Sequence, residues 1–295
     1  MDTKLPPRSD RQRVAAPSVI GVRFSKILII ESLPAGEAQT GLHLYQTLAP
    51  LPSQLNRPVT IEHRPVTSRQ DLANALDRAF HEVVSEGHTP LLHFECHGNP
   101  EGLELRAAGE FVPWGELSPR LTDLNVATGL KLFVGLSACY GAYLVSQLVP
   151  TERAPFIACL STKRPEYDHD LFVAFKAFYT ALLTTLDGDA ARAALHSTGL
   201  ADHFYFGDAL YWFKLAYSRY LAEQRSPDEY LKRARRIVKE AGVPTKSLEE
   251  IAQHLRDTER EAFAQHKARY FMTDIYPANA ERFTVAFEQV DARGG

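Results

Sequence analysis

The sequence has no long apolar run, few sulfur-bearing residues and no strong charge, and each absence excludes something. No stretch of the 295 residues approaches the roughly 20 consecutive apolar positions needed to cross a bilayer, so no membrane association is expected. The first residues, MDTKLPPRSDRQRVAAPSVIG, lack the apolar core of a secretory signal and read as a polar N-terminal arm over 1–22. Only three cysteines occur, Cys96, Cys139 and Cys159. An odd number without an export signal argues against a disulfide framework and for reduced thiols in a cytoplasm. The net charge of −3 is too mild for nucleic-acid or membrane-surface binding by bulk electrostatics. No internal repeat or low-complexity tract is present. Apolar residues make up 45% and charged residues 23% of the chain, an ordinary globular balance.

From residue 26 onward, short apolar runs alternate with segments of helical period. Strands are expected at 26–30, 58–63, 90–96, 131–136 and 155–160. Helices are expected at 36–48, at 68–86 with Leu72, Leu76, Phe80 and Val83 on one face, from Trp114 to Leu124, at 140–148 and from Leu171 to Leu186. Ser68 and Asp71 form a capping-box start, and Gly87 is placed to stop that helix. Segments 103–105 and 110–112, around Gly109, read as a hairpin. Continuous apolar strands alternating with helices argue for an α/β fold, with a mostly parallel sheet flanked by helices on both faces. After about residue 200 no strand pattern is clear. Helices are expected from near Leu210, at 226–242 closed by Gly242, and from a Ser247/Glu250 capping box. These divide the chain into 23–200 and an α-helical C-terminal region, 201–295.

Two strand patterns end in reactive clusters. LLHFECHG (91–98) finishes on Cys96, His97 and Gly98; LFVGLSACYG (132–141) finishes on Ser137, Ala138 and Cys139. In open parallel sheets, chemistry gathers at the carboxyl ends of strands, at a switch point in strand order. If the two strands are neighbours, an imidazole and a thiol can meet there. Only the thiolate is a good nucleophile, and a nearby imidazole or a helix N-terminus favours it. Backbone N–H groups at Gly98 and at Ala138 are candidates to hold an oxyanion. Cys159 lies inside a strand and Cys96 alternates to the face opposite His97, so both read as core.

These motifs resemble the caspase-like clan of cysteine proteases. HFECHG, GLELRAAGEFVPWGELSPRL and LFVGLSACYGA are most like the bacterial CHAT and separase-type members, and APFIACLSTKRPEYDHDLFVAFKAFYTALL is similar to the strand, loop and helix that follow the cysteine there. The likeness spans roughly residues 26–196. It implies a caspase-like fold, with His97 as general base and Cys139 as nucleophile. Caspases carry Gln-Ala-Cys-x-Gly with the histidine about 50 residues upstream. This chain keeps Ala-Cys-x-Gly, departs at the glutamine position, and spaces its pair 42 residues apart. It also lacks a long cleavable linker after the cysteine, which speaks against activation by internal cleavage there.

The resemblance further implies a protein substrate, such as a gasdermin-like effector cut in regulated cell death or antiphage defence, and a separate sensor or activator protein. No cofactor is expected. His93, Glu95 and His97 share a strand face, but His-x-Glu-x-His without a fourth partner is a weak metal signature, and no metal is expected. Gly-Leu-Ser-Ala-Cys misses the serine-hydrolase elbow at its last residue. In relatives, the loop at 161–170 borders the pocket for the residue before the cut bond. Asp168 and Asp170 are its candidate substrate-binding carboxylates, giving a basic preference, with Asp170 alternatively the N-cap of the next helix. The competing reading is a catalytically idle caspase-like module that binds partners through its C-terminal helices.

Overall fold

The computed structural model describes residues 23–105, 109–241 and 246–291; the N-terminal arm and Gly242 lie outside them. The described chain is α/β, with an eight-stranded, mostly parallel mixed sheet flanked by helices. It divides into two compact units, 1–148 with 155–208, and 149–154 with 209–295.

The first unit opens with β1 (Lys26–Ser32), followed by α1 (Thr40–Leu48), α2 (Leu51–Gln54), β2 (Thr60–Pro65), α3 (Arg69–Glu86) and β3 (Pro90–Asn99). A hairpin, β4 (Gly102–Leu105) and β5 (Glu110–Pro113), leads to α4 (Trp114–Ala127) and β6 (Phe133–Ser137). A 3-10 helix (Gly141–Gln147), β7 (Ala158–Thr162), α5 (Asp168–Thr185), α6 (Gly188–Ser197), a 3-10 turn (Ala201–His203) and β8 (Phe204–Asp208) complete it.

The main sheet runs β2-β1-β3-β6-β7-β8, with β4 and β5 built onto the end of β3. All neighbours along the main path are parallel except β7 and β8. The chain steps from β1 outward to β2, then returns past β1 to β3. Direction therefore reverses between β1 and β3, the crevice where open α/β sheets bind ligands. Right-handed crossovers place α1 and α3 on opposite faces, and α1 packs with α5 while α3 packs with α4. Strands β1, β3, β6 and β7 are buried where they pair with one another and largely apolar there, as double-sided cover requires.

Local chemistry explains several boundaries. Ser68 Oγ accepts from the Asp71 N–H, and Gly87 ends α3 in the left-handed region at φ 70°. The Asp71 carboxylate in turn accepts from the Thr67 N–H and hydroxyl, just ahead of the cap. Phe80 is 41% exposed and does not share the buried stripe. At about 100° per residue it lies roughly 80° from Leu72, and Ala75 and Ala79 occupy the buried centre instead. The helix expected at 36–48 begins only at Thr40, leaving 33–39 as a loop. FYFGD, which shows no clear strand pattern in the sequence, is β8, an antiparallel edge paired with β7. Aromatic residues suit such half-buried edges, and the sheet thus extends past residue 200.

At the amino end of β1, the Lys26 ammonium is buried between Glu62 at 2.5 Å and Glu82 at 2.7 Å. Burial opposes ionisation of both carboxylates, but hydrogen bonds from Lys26, with Arg64 on Glu62 and Arg78 on Glu82, outweigh it and lower both pKa values below the usual 4.5. A depressed folded-state value gives stability that is present above the unfolded value and lost as pH falls through the folded one. Urea unfolding is therefore expected to show stability dropping as the pH falls below about 4.5, with a smaller drop in Lys26→Met. Equal acid loss in the two proteins would refute this.

In the second unit, α7 (Ala209–Gln224), α8 (Pro227–Ala241), α9 (Leu248–Asp257), α10 (Glu259–Tyr270) and α11 (Asn279–Arg282) precede a 3-10 turn (Phe287–Gln289). Ser247 and Glu250 make the expected reciprocal capping box of α9. Tyr230, Ala234 and Ala252 join α8 to α9. Arg225, its side chain 10% exposed, pairs with Glu259 and Asp291 and so fastens the last described residue. No helix among the described residues is long and apolar enough to cross a membrane.

Candidate active site at the ends of β3 and β6

His97 is the eighth residue of β3, two positions past the Glu95↔Ser137 rung that ends the pairing with β6. The same advance from Ser137 reaches Cys139, just past the end of β6, so both residues lie at the carboxyl edge of the two strands. Gly98 measures how close the backbones come. A Cβ there would lie 2.7 Å from the Cys139 carbonyl oxygen and 3.2 Å from the Ala138 Cβ, too near for any other residue without movement.

Cys139 sits in a turn rather than on a strand. The Ala138 carbonyl accepts from the Gly141 N–H at 3.0 Å and from the Thr162 hydroxyl, tying the turn to β7. Tyr140 adopts φ 60°, a region few residues other than glycine favour. Where a short helix was expected at 140–148, residues Gly141–Gln147 form a 3-10 helix.

The three thiols differ sharply. Burial pushes the Cys159 thiol up to about 12 and that of Cys96 higher still, with the Glu95 charge adding to it. Cys139 alone among them is partly exposed.

Behind the pair lies a buried polar cluster. Glu95, 4% exposed, accepts from Thr40 Oγ1 at 2.7 Å and Ser137 Oγ at 2.8 Å. His93 Nε2 lies 2.9 Å from its other oxygen, and His93 Nδ1 is 3.0 Å from the Tyr179 hydroxyl. His93 thus bridges the Glu95 carboxylate and the Tyr179 hydroxyl through its two ring nitrogens. Burial first, and then Glu95, raise the Tyr179 pKa well above its usual value and keep that hydroxyl a donor. Two members of the His93–Glu95–His97 face thus bond to each other, and no group of three or more candidate ligands that could hold a metal occurs among the described residues.

A second buried carboxylate, Glu31, accepts from the Gly41 and Leu42 N–H groups at 2.7 and 3.3 Å and faces His63 Nε2 at 2.6 Å. Glu31 satisfies amides of the first turn of α1 that its cap residue Gln39 leaves open, and Glu95 holds the same turn through the Thr40 hydroxyl. That fixes one end of the 33–39 loop.

The loop carries a residue that the sequence did not single out. Glu37 Oε2 lies 2.6 Å from His97 Nε2, with the two side chains 41% and 32% exposed. Across β3 and β4, Glu104 stands opposite His97 in register. No hydrogen bond among the described residues joins His97 to the Cys139 thiol.

Asp168 and Asp170 lie in the first turn of α5, capped by Tyr167, at the same carboxyl edge as Cys139. Asp170 is the third helical residue and not the N-cap, because the helix begins at Asp168. The nearly buried carboxylate of the same loop is Glu166, its side chain 5% exposed and paired with Arg164 and His203. Glu166 gives no periodic signal, and its partner His203 is 37 residues away. No model of a known protein family matches the sequence, and no curated protein matches it.

Proposed function

We propose that the chain is a caspase-like, CHAT- or separase-type cysteine endopeptidase in which Cys139 attacks the peptide carbonyl and His97 takes and returns the proton. One observation carries the reading: the only partly exposed thiol of the three stands beside an imidazole at the carboxyl edge of adjacent parallel strands, next to the strand-order reversal. Apo hydrogen bonds between nucleophile and base are often long and tighten on binding, so a thiol not yet bonded to His97 is compatible with it. The N–H groups of Gly98 and of the Ala138–Cys139 turn are the nearest backbone donors for an oxyanion.

The substrate is read as a partner protein. Asp168 and Asp170, both in the helix turn that follows β7, would favour an arginine or lysine before the cut bond. The setting that the resemblance implies is cytoplasmic, in regulated cell death or antiphage defence with a gasdermin-like effector and a separate activator.

Alkylation by iodoacetamide near pH 7, read by mass spectrometry, tests the thiol. Cys139 is expected to label at least about tenfold faster than Cys96 or Cys159, since only the thiolate reacts and burial disfavours it at the other two. Equal rates at the three sites would leave the idle binding module as the better reading.

A further inference from the structure

The geometry points to Glu37 as a third member of the site, a positioning residue that holds the His97 ring and favours its protonated form once the Cys139 proton has passed to it. The assignment rests on the Cys139–His97 reading and adds a charge to it.

Three observations carry it. The first is the contact itself, 2.6 Å between Glu37 Oε2 and His97 Nε2, which leaves Nδ1 as the ring nitrogen free to serve the thiol or the leaving amine. The second is that the loop is braced to present this carboxylate. The Gln39 amide donates to the Pro34 and Glu37 carbonyls at 2.8 and 3.1 Å, and the Glu37 N–H donates to Pro34 O at 3.0 Å. Beyond it, the Glu31 and Glu95 carboxylates grip the start of α1. The third is energetic. A half-exposed ion pair contributes about 0–1 kcal/mol to folding, which is little reason to order a loop so closely.

The proton balance is simple. Cys139 Sγ–H gives its proton to His97, forming a thiolate and an imidazolium. The Glu37 carboxylate, in reach of Nε2, stabilises the imidazolium by charge and by an N–H···O bond. A base oriented by a third group is the general pattern of activated nucleophiles.

Iodoacetamide labelling of Cys139 in the full chain at pH 7 is the test, because it needs no substrate. Glu37→Gln, which keeps the shape and removes the charge, is expected to slow labelling by about threefold to fivefold, the effect of losing a partly exposed charge pair of up to about 1 kcal/mol. Glu37→Asp keeps the charge and is expected to restore most of the rate, while the melting temperature stays within about 2 °C of the parent in both variants. An unchanged rate in Glu37→Gln overturns the assignment, as does a Glu37→Asp protein as slow as Glu37→Gln. A Glu37→Gln protein faster than the parent also overturns it, since Glu37 would then be withholding His97. Fast, selective labelling of Cys139 in the parent keeps these failures apart from failure of the dyad, which would show as a Cys139 no faster than its buried neighbours.

Discussion

Cys139→Ala is expected to abolish peptide cleavage while leaving the melting temperature nearly unchanged. The substitution removes one sulfur from a partly exposed turn, and the turn is held by the Ala138 carbonyl and Thr162 rather than by the thiol. His97→Ala is expected to cost nearly as much, on the order of 10³-fold or more, and the double variant no more than either single one. Nucleophile and base act as one unit, so their losses do not add. A peptide library varied at the residue before the cut bond is the measurement, and basic residues there are the expected preference. A His97→Ala protein with near-parental rates would refute the dyad. Cleavage only after aspartate would refute the role of Asp168 and Asp170 without touching the dyad.

Glu95→Ala is expected to lower folding stability by about 3–5 kcal/mol. Thr40, Ser137 and His93 all direct polar atoms at this carboxylate, and without it those groups stay buried and lose their acceptor. Glu95→Gln keeps one acceptor oxygen and should lose less. Gly135→Ala should rank with Glu95→Ala. Gly135 pairs with His93 across β3 and β6, and a Cβ there would fall 2.1 Å from the Tyr179 hydroxyl and 3.0 Å from His93 Nδ1. No rotamer change in a rigid tyrosine side chain opens that space without breaking its bond to His93. Denaturant unfolding of the three variants checks the order. A Glu95→Ala loss under about 1 kcal/mol would show that water replaces the carboxylate and that the cluster is not tightly closed.

Where the sequence was legible, one physical cue dominated. Ser68 and Gly87 bracket a helix because an N-cap oxygen and a left-handed C-cap act within a few residues. His97 and Cys139 were legible because each ends an apolar run, and apolar runs of that length in an alternating pattern become neighbouring strands. Glu37 was hidden for the opposite reason. Its partner is 60 residues distant, and its segment has enough helical period to pass for the start of α1. The helix begins later because buried carboxylates from β1 and β3 cap it at Thr40–Leu42, a tertiary cause with no local signature. Phe204–Asp208 was hidden because an aromatic run suits an edge strand as well as a helix face. Glu166, rather than Asp170, is the buried acid of its loop, held by Arg164 and by His203, a partner too distant in sequence to leave a local signal.

The turn at Tyr140 has a consequence for the nucleophile beside it. A tyrosine in the left-handed region costs about 1–2 kcal/mol relative to a relaxed backbone. Its ring meets Tyr143 edge-on at 6.0 Å between centroids, and such pairs return about 0.5–1.5 kcal/mol. The two terms are of similar size, and the hydrogen bonds that the Ala138 carbonyl accepts from Gly141 and Thr162 add to the ring contact in holding the turn. Losing the Tyr143 ring therefore leaves the Tyr140 backbone without about 0.5–1.5 kcal/mol of compensation, while the bonds of the Ala138 carbonyl to Gly141 and Thr162 remain.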